Sequence, residues 1–292
     1  MPMSRKIALA AVLRGRFFSF DEIILRFDTA WTHYGRSTSS KAVVVKMRRT
    51  HAILITMSPP LRLDSSDALP AAFVARLARH RHLFQDHEFL DTVPESRSVR
   101  SIADDLEAYL KQQRIHGYHC TKEPSPGFFE TRGLRPTNVQ AHQAEFLSMF
   151  GDQFTADEVT EMKAAWEDYF ERHGQRRLRD GFVWACLSRS LVKTSGTETF
   201  FRFFGGESIF MPLKQDLSIA SKLETIGRAV VVEVALPGDV LKAGYEMSLA
   251  VLSRHHATIR PDAYPYESEA RLRQMVPPTD IICVTPLSEF QP

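Results

Sequence analysis

The run Ala-Val-Val-Val-Glu-Val-Ala-Leu at 229–236, closed by Pro237 and Gly238, leaves its part of the chain one choice of local structure. β-Branched residues lose side-chain freedom in a helix and pack well on a pleated surface. Pro-Gly then marks a turn. Residues 229–236 therefore read as a strand, the clearest in the chain. Shorter strand-like segments stand at 117–121, 182–187 and 280–284, with helical patterns between them. Short strands scattered among helices give an α+β fold class.

The chain has 292 residues, enough for one large domain or two modest ones. At 43% apolar and 25% charged residues it has the composition of an ordinary globular protein. No run reaches the roughly 18 apolar residues of a membrane span. The three cysteines, Cys120, Cys186 and Cys283, are far apart. An odd, sparse set points to a reducing compartment, hence a cytoplasmic location, and not to a disulfide framework. Neither the cysteines nor the eleven scattered histidines have the spacing of a metal site, so no metal is expected.

Charge is uneven. Net charge is only +2, yet residues 1–62 carry eleven Lys or Arg against Asp21, Glu22 and Asp28. Residues 7–13 and 20–31 read as helices, the second with Phe20, Ile23, Ile24 and Phe27 on one face. Residues 42–45 and 52–55 read as short strands flanking Lys46, Arg48 and Arg49. A helix followed by a basic ribbon suits weak binding of nucleic acid through phosphates, with Lys46, Arg48 and Arg49 as the contacts.

Pro59-Pro60 breaks the chain, and residues 67–84 look helical. A polar, Pro-containing stretch at 92–100 reads as a linker, which sets a boundary near residue 95. The expected domains are thus 1–95, basic and mostly helical with small strands, and 96–292. Ser101 to Asp104 resembles a capping pattern that opens a helix with Ile102, Leu106, Tyr109 and Leu110 on one stripe. Residues 140–150 are also helical in pattern. Thr155 and Glu158 form a capping box for a further helix, and Gly174 stops it. Residues 208–213 look extended, and a helix is expected within 239–254.

One stretch carries chemistry. Tyr118-His119-Cys120-Thr121, with Gly133-Leu134-Arg135-Pro136 after it, resembles the opening strand and turn of ADP-ribosyltransferase-like domains. The branch with a histidine-tyrosine-glutamate triad and the RNA 2′-phosphotransferases are both similar. The strands at 230–236 and 281–284 resemble the closing part of the same fold. The resemblance covers about residues 113–292 and implies two small packed sheets with helices.

The resemblance also implies a site. The family histidine, here His119, holds a ribose hydroxyl of NAD. The backbone beside it, here Cys120, pairs with the nicotinamide amide. Tyr118 and Thr121 flank it as cofactor-binding positions, and Trp184 on the second strand is placed to stack on nicotinamide. An acid late in the domain completes the site. Glu207, after Gly205-Gly206, and Glu269, in Glu-Ser-Glu, both fit that place. Breaking the nicotinamide–ribose bond builds positive charge on the sugar, as in glycoside hydrolysis, and a nearby carboxylate stabilises it.

The expected function is transfer of ADP-ribose from NAD, as substrate, to a macromolecular acceptor, protein or nucleic acid, without metal or membrane. Two alternatives stand beside it. One is an RNA 2′-phosphotransferase, which needs convergent arginines such as Arg132, Arg135 and Arg189. The other is a non-catalytic nucleotide- or nucleic-acid-binding protein, favoured if no acid converges on His119.

Overall fold

Strand β3 (Arg228–Pro237) contains the 229–236 run, and it pairs antiparallel with β1 (Arg114–Glu123) over ten consecutive residues without a register shift. Around this pair stand β2 (Val183–Cys186), β4 (Lys242–Ala243), β5 (Glu269–Leu272) and β6 (Ile281–Pro286). All pairings are antiparallel, in the order β4-β5-β2-β1-β3-β6. The computed structural model describes residues 59–65, 68–90, 93 and 97–291. The helix and ribbon expected before residue 58, with Lys46, Arg48 and Arg49, lie outside the described residues.

The α+β class holds. The expected pair of packed sheets does not: among the described residues the strands form one six-stranded sheet. The reason is β1, which takes β3 along its whole length on one side and β2 at Tyr118 on the other, joining both halves.

The helices, in order, are α1 (Ala71–Ala78), α2 (Arg81–Gln85), α3 (Arg97–Leu110), α4 (Phe128–Arg132), α5 (Val139–Phe150), α6 (Ala156–Glu167), α7 (Arg176–Arg179), α8 (Ser195–Arg202), α9 (Gly206–Ile209), α10 (Leu217–Thr225) and α11 (Met247–Ile259). No helix of the described residues is long and apolar enough to cross a membrane.

One sheet face, with Val230, Val232, Val234, Leu236, Val183, Ala185, Ala270 and Leu272, packs in a core with α1, α3 and α11. The stripe expected on α3 supplies it: Ile102, Leu106 and Leu110 are buried, and Tyr109 lies against Phe73 with ring centres 6.0 Å apart. Truncating a buried leucine such as Leu106 to Ala costs about 2–5 kcal/mol. Leu63, Leu77 and Phe84 enter the same core, and Arg76 pairs with Asp105 at 2.6 Å. The boundary expected near residue 95 therefore falls inside a single packed core.

The opposite face is covered near its centre by Val192, Phe201 and Phe290, which enclose Tyr118, Cys186 and Val231. A second, helical core joins α5, α6, α9 and α10 through Phe146, Trp166, Phe204, Ile209 and Leu223. The Thr155 capping box forms as expected: Glu158 N–H donates to the Thr155 hydroxyl at 3.2 Å, and Thr155 N–H to Glu158 at 2.8 Å. Residues 208–213, expected to be extended, are instead short helical turns. Ile209 and Leu213, four residues apart, are both buried, which is helix spacing.

The turn after α4 explains Gly133. Its φ of 68° suits glycine, and a Cβ there would stand 2.2 Å from the Val276 carbonyl oxygen. That close approach lets Leu134 exchange backbone hydrogen bonds with Val276 at 2.9 and 2.8 Å. The turn thereby ties the segment before β6 to the His119 face of the sheet.

Candidate active site

Strands β1 and β2 are held together by a single residue pair, Tyr118 with Cys186. On one side of that pair β2 has ended, and Leu61 takes its place, bonding to Arg114 O and His116 N at 2.8 Å each. These bonds show that 114, 116 and, by alternation, 118, 120 and 122 turn their backbone polar groups away from β3. On the other side, an unbroken ladder would next pair Cys120 with Trp184. It does not. The Trp184 carbonyl accepts instead from His119 Nδ1, 2.8 Å away. The imidazole thus occupies the place of a ladder bond. Cys120 has no partner residue in β2, and its N–H and C=O face the gap between the strands.

That bond also settles the state of His119. A carbonyl only accepts, so Nδ1 carries the proton and Nε2 is the acceptor. Burial lowers the His119 pKa, opposed by the bond to Trp184, so the ring is neutral at pH 7. Phe129 of α4 meets it edge-on with ring centres 6.4 Å apart.

Glu269 lies two strands away. Register places Tyr118, Cys186 and Glu269 in one row across β1, β2 and β5, so their side chains share a face. Burial pushes the Glu269 carboxyl up to about 7. Among the described residues it has no ion-pair partner. Glu267, by contrast, accepts from Ser190 and pairs with Arg254 at 3.4 Å. Cys186 stands between Glu269 and Cys120. A hydrogen bond with the Cys120 thiol, then burial, raise its pKa.

His119 and Glu269 are not in contact. His119 alternates onto the face of Val230 and Val232, whereas Glu269 is on the face of Tyr118. His119 borders the β1–β2 gap, and Glu269 stands one strand farther out, beyond Cys186 of β2. The other expected acid, Glu207, is on α9 and forms a buried ion pair with Arg179 at 2.9 Å, beside the helical core and not on the sheet. Its carboxylate is neutralised there.

Of the remaining expected positions, Tyr118 is 1% exposed and stacks on His116 at 4.8 Å, so its side chain is core and not ligand surface. Thr121 is half-buried on the His119 face, its hydroxyl donating only to the Lys122 carbonyl at 3.5 Å. Trp184 is half-buried on the Glu269 face, with the Arg271 guanidinium 5.3 Å from its ring centre. Arg132, Arg135 and Arg189 do not converge. Arg132 pairs with Glu145 at 2.7 Å on α4, Arg135 is exposed after it, and Arg189 lies over Phe290 on the opposite face. Cys186, Lys242, Arg271 and Arg273 went unnoticed as site neighbours. The alternation Glu269, Arg271, Arg273 was the available signal, since residues two apart on a strand share a face.

No family model, curated protein or solved structure matches the chain.

Proposed function

We propose that the chain cleaves NAD and transfers ADP-ribose to a macromolecular acceptor. One observation carries this reading. The β1–β2 gap presents the backbone of Cys120 beside an oriented, neutral His119, and one strand beyond Cys186 stands Glu269, a carboxylate with no ion-pair partner among the described residues. The resemblance of 118–121 and 133–136 to ADP-ribosyltransferase-like domains implies Cys120 for the amide and His119 for the ribose, and an acid late in the domain for which Glu269 is the candidate on the sheet.

The roles follow from the groups. Cys120 N–H and C=O match the carboxamide of nicotinamide, which has one acceptor oxygen and an amino donor. His119 Nε2 accepts a hydrogen bond from a ribose hydroxyl. The two side chains need not touch, because they meet different parts of the dinucleotide. In the reaction the bond between ribose C1′ and the nicotinamide nitrogen breaks, and its electron pair leaves with nicotinamide. The acceptor nucleophile bonds to C1′, and its proton passes to solvent. Ionised Glu269 stabilises the positive charge that develops on the sugar and accepts from the 2′-hydroxyl.

Calorimetric titration with NAD tests the backbone contact. Cys120→Ala retains the amide and is expected to bind NAD. Cys120→Pro removes only the gap-facing N–H, since β3 bonds to the alternate residues, and is expected to lose binding. His119→Ala weakens binding without touching the strand backbone. Equal NAD affinity for parent, Cys120→Pro and His119→Ala refutes the site.

A further inference from the structure

Three successive rows on the Glu269 face carry a pattern that the transfer chemistry does not use. Beyond the Glu269–Cys186 row comes Lys242–Arg271–Trp184, across β4, β5 and β2, and beyond that Arg273 beside Phe182. The Arg271 guanidinium lies 4.5 Å from the Phe182 ring centre and 5.3 Å from that of Trp184. Arg273 lies 4.4 Å from Phe182. Among the described residues no carboxylate is paired with Lys242, Arg271 or Arg273, although most other arginines of the sheet and helices have one.

Lys242 and Arg271 stand directly opposite each other, an arrangement that costs stability when nothing offsets the like charges. An anion offsets them. Guanidiniums held against aromatic rings have their rotation limited, and the guanidinium fork matches phosphate oxygens. Arg271 is on β5 and Arg273 is the residue just past its end, about 7 Å away if the chain stays extended. That is comparable to the distance between successive phosphates of an extended strand. Half-exposed Trp184 adds a ring on which a base can stack. Lys242 and Arg273 are both exposed, so the row is open to a large partner.

We infer that Lys242, Arg271 and Arg273 bind the phosphate backbone of a single-stranded nucleic acid and lead it to Glu269, which makes nucleic acid the acceptor. Glu-Ala-Arg-Leu-Arg at 269–273 then places the reacting carboxylate and two of the phosphate contacts along β5 and the residue just after it. The inference rests on Glu269 being the carboxylate of the proposed transfer, but the binding surface is measurable without that chemistry. An acidic peptide is the less suited partner, because it has no use for the stacked rings.

The test is fluorescence anisotropy of the full chain with a labelled single-stranded RNA oligonucleotide over a range of NaCl concentrations. The basic segment at 1–62 contributes equally to parent and variants, so the difference is what counts. The Lys242→Gln/Arg273→Gln double variant, both positions exposed, is expected to bind about tenfold more weakly. The slope of log affinity against log salt shrinks by about 1.4, the value for two single-strand phosphate contacts. Arg271→Lys, which keeps the charge and loses the ring stacking, also binds more weakly. Affinity and slope equal to the parent overturn the proposal. So does length-matched polyglutamate that competes as well as RNA for the fraction of binding these residues supply. Glu269→Gln retains RNA binding. If the slope changes as expected but the parent releases no nicotinamide from NAD, the surface stands and the transfer reading fails. Nicotinamide release with no slope change gives the opposite result.

Discussion

Replacing Glu269 with Gln changes stability in a way that depends on pH, and the sign follows from its environment. Burial raises the carboxyl from its ordinary 4.5 to about 7. The folded state therefore holds the proton more tightly than the unfolded chain. Its contribution to stability is greatest below about pH 4.5, falls as pH rises through the window from 4.5 to about 7, and is level above. A displacement of that size corresponds to about 3 kcal/mol between the two protonation states. The half-buried carboxyl still meets some solvent, which reduces the figure to about 2–3 kcal/mol. Gln has the shape of the protonated acid and never ionises. Parent and Glu269→Gln should therefore be equally stable at pH 4, and the variant more stable by about 2–3 kcal/mol at pH 8. Urea denaturation followed by tryptophan fluorescence, at pH 4, 6 and 8, measures the difference. A gap that is the same at all three values refutes the buried, unpaired carboxylate. A parent that gains on the variant as pH rises refutes it as well, since that is the behaviour of an acid held by a cation.

Glu207→Gln removes the carboxylate from its buried ion pair with Arg179, and is expected to cost about 3–5 kcal/mol in urea denaturation. At temperatures where it remains folded, it should leave nicotinamide release unchanged. Gly133→Ala places a side chain in a backbone region nearly reserved for glycine and 2.2 Å from Val276 O. The backbone alone accounts for about 1–3 kcal/mol, read as a lowered melting temperature. Any NAD turnover should rise with pH through about 7 as Glu269 ionises, and a flat profile between pH 5.5 and 8.5 counts against its role.

Four of the six strands among the described residues were legible because their cause is local; β4 and β5 were not. Four β-branched or small apolar residues in succession at 229–232 leave that stretch no other structure, and the Thr155–Glu158 capping box is written in two residues three apart. What joins the strands is not local. The single Tyr118–Cys186 pair that merges both halves into one sheet depends on where β2 meets β1, 68 positions along the chain. The boundary at 95 was misplaced for a similar reason: a polar linker marks a change of direction and says nothing of whether Leu77 and Phe84 pack with Leu106. Residues 208–213 look extended in sequence because six residues hold too little periodicity to separate the two structures. At the site, His119 and Trp184 were visible individually, but the bond between the ring and the carbonyl, which opens the gap, was not. Nor was the choice between Glu207 and Glu269. Sequence offers both equally, and the neutralising partner of Glu207 is Arg179, brought to it only by the packing of α7 and α9.

The most direct measurement is nicotinamide release from NAD labelled in that ring, by the purified full chain and by Glu269→Gln, at saturating NAD with and without single-stranded RNA. Release by the parent, faster with RNA, and a loss of roughly 10²–10³ in rate for the variant with NAD affinity nearly unchanged, is the expected result. Release at the same rate by both proteins, or by neither while NAD remains bound, contradicts the assignment of Glu269 and leaves a protein that binds the dinucleotide without cleaving it.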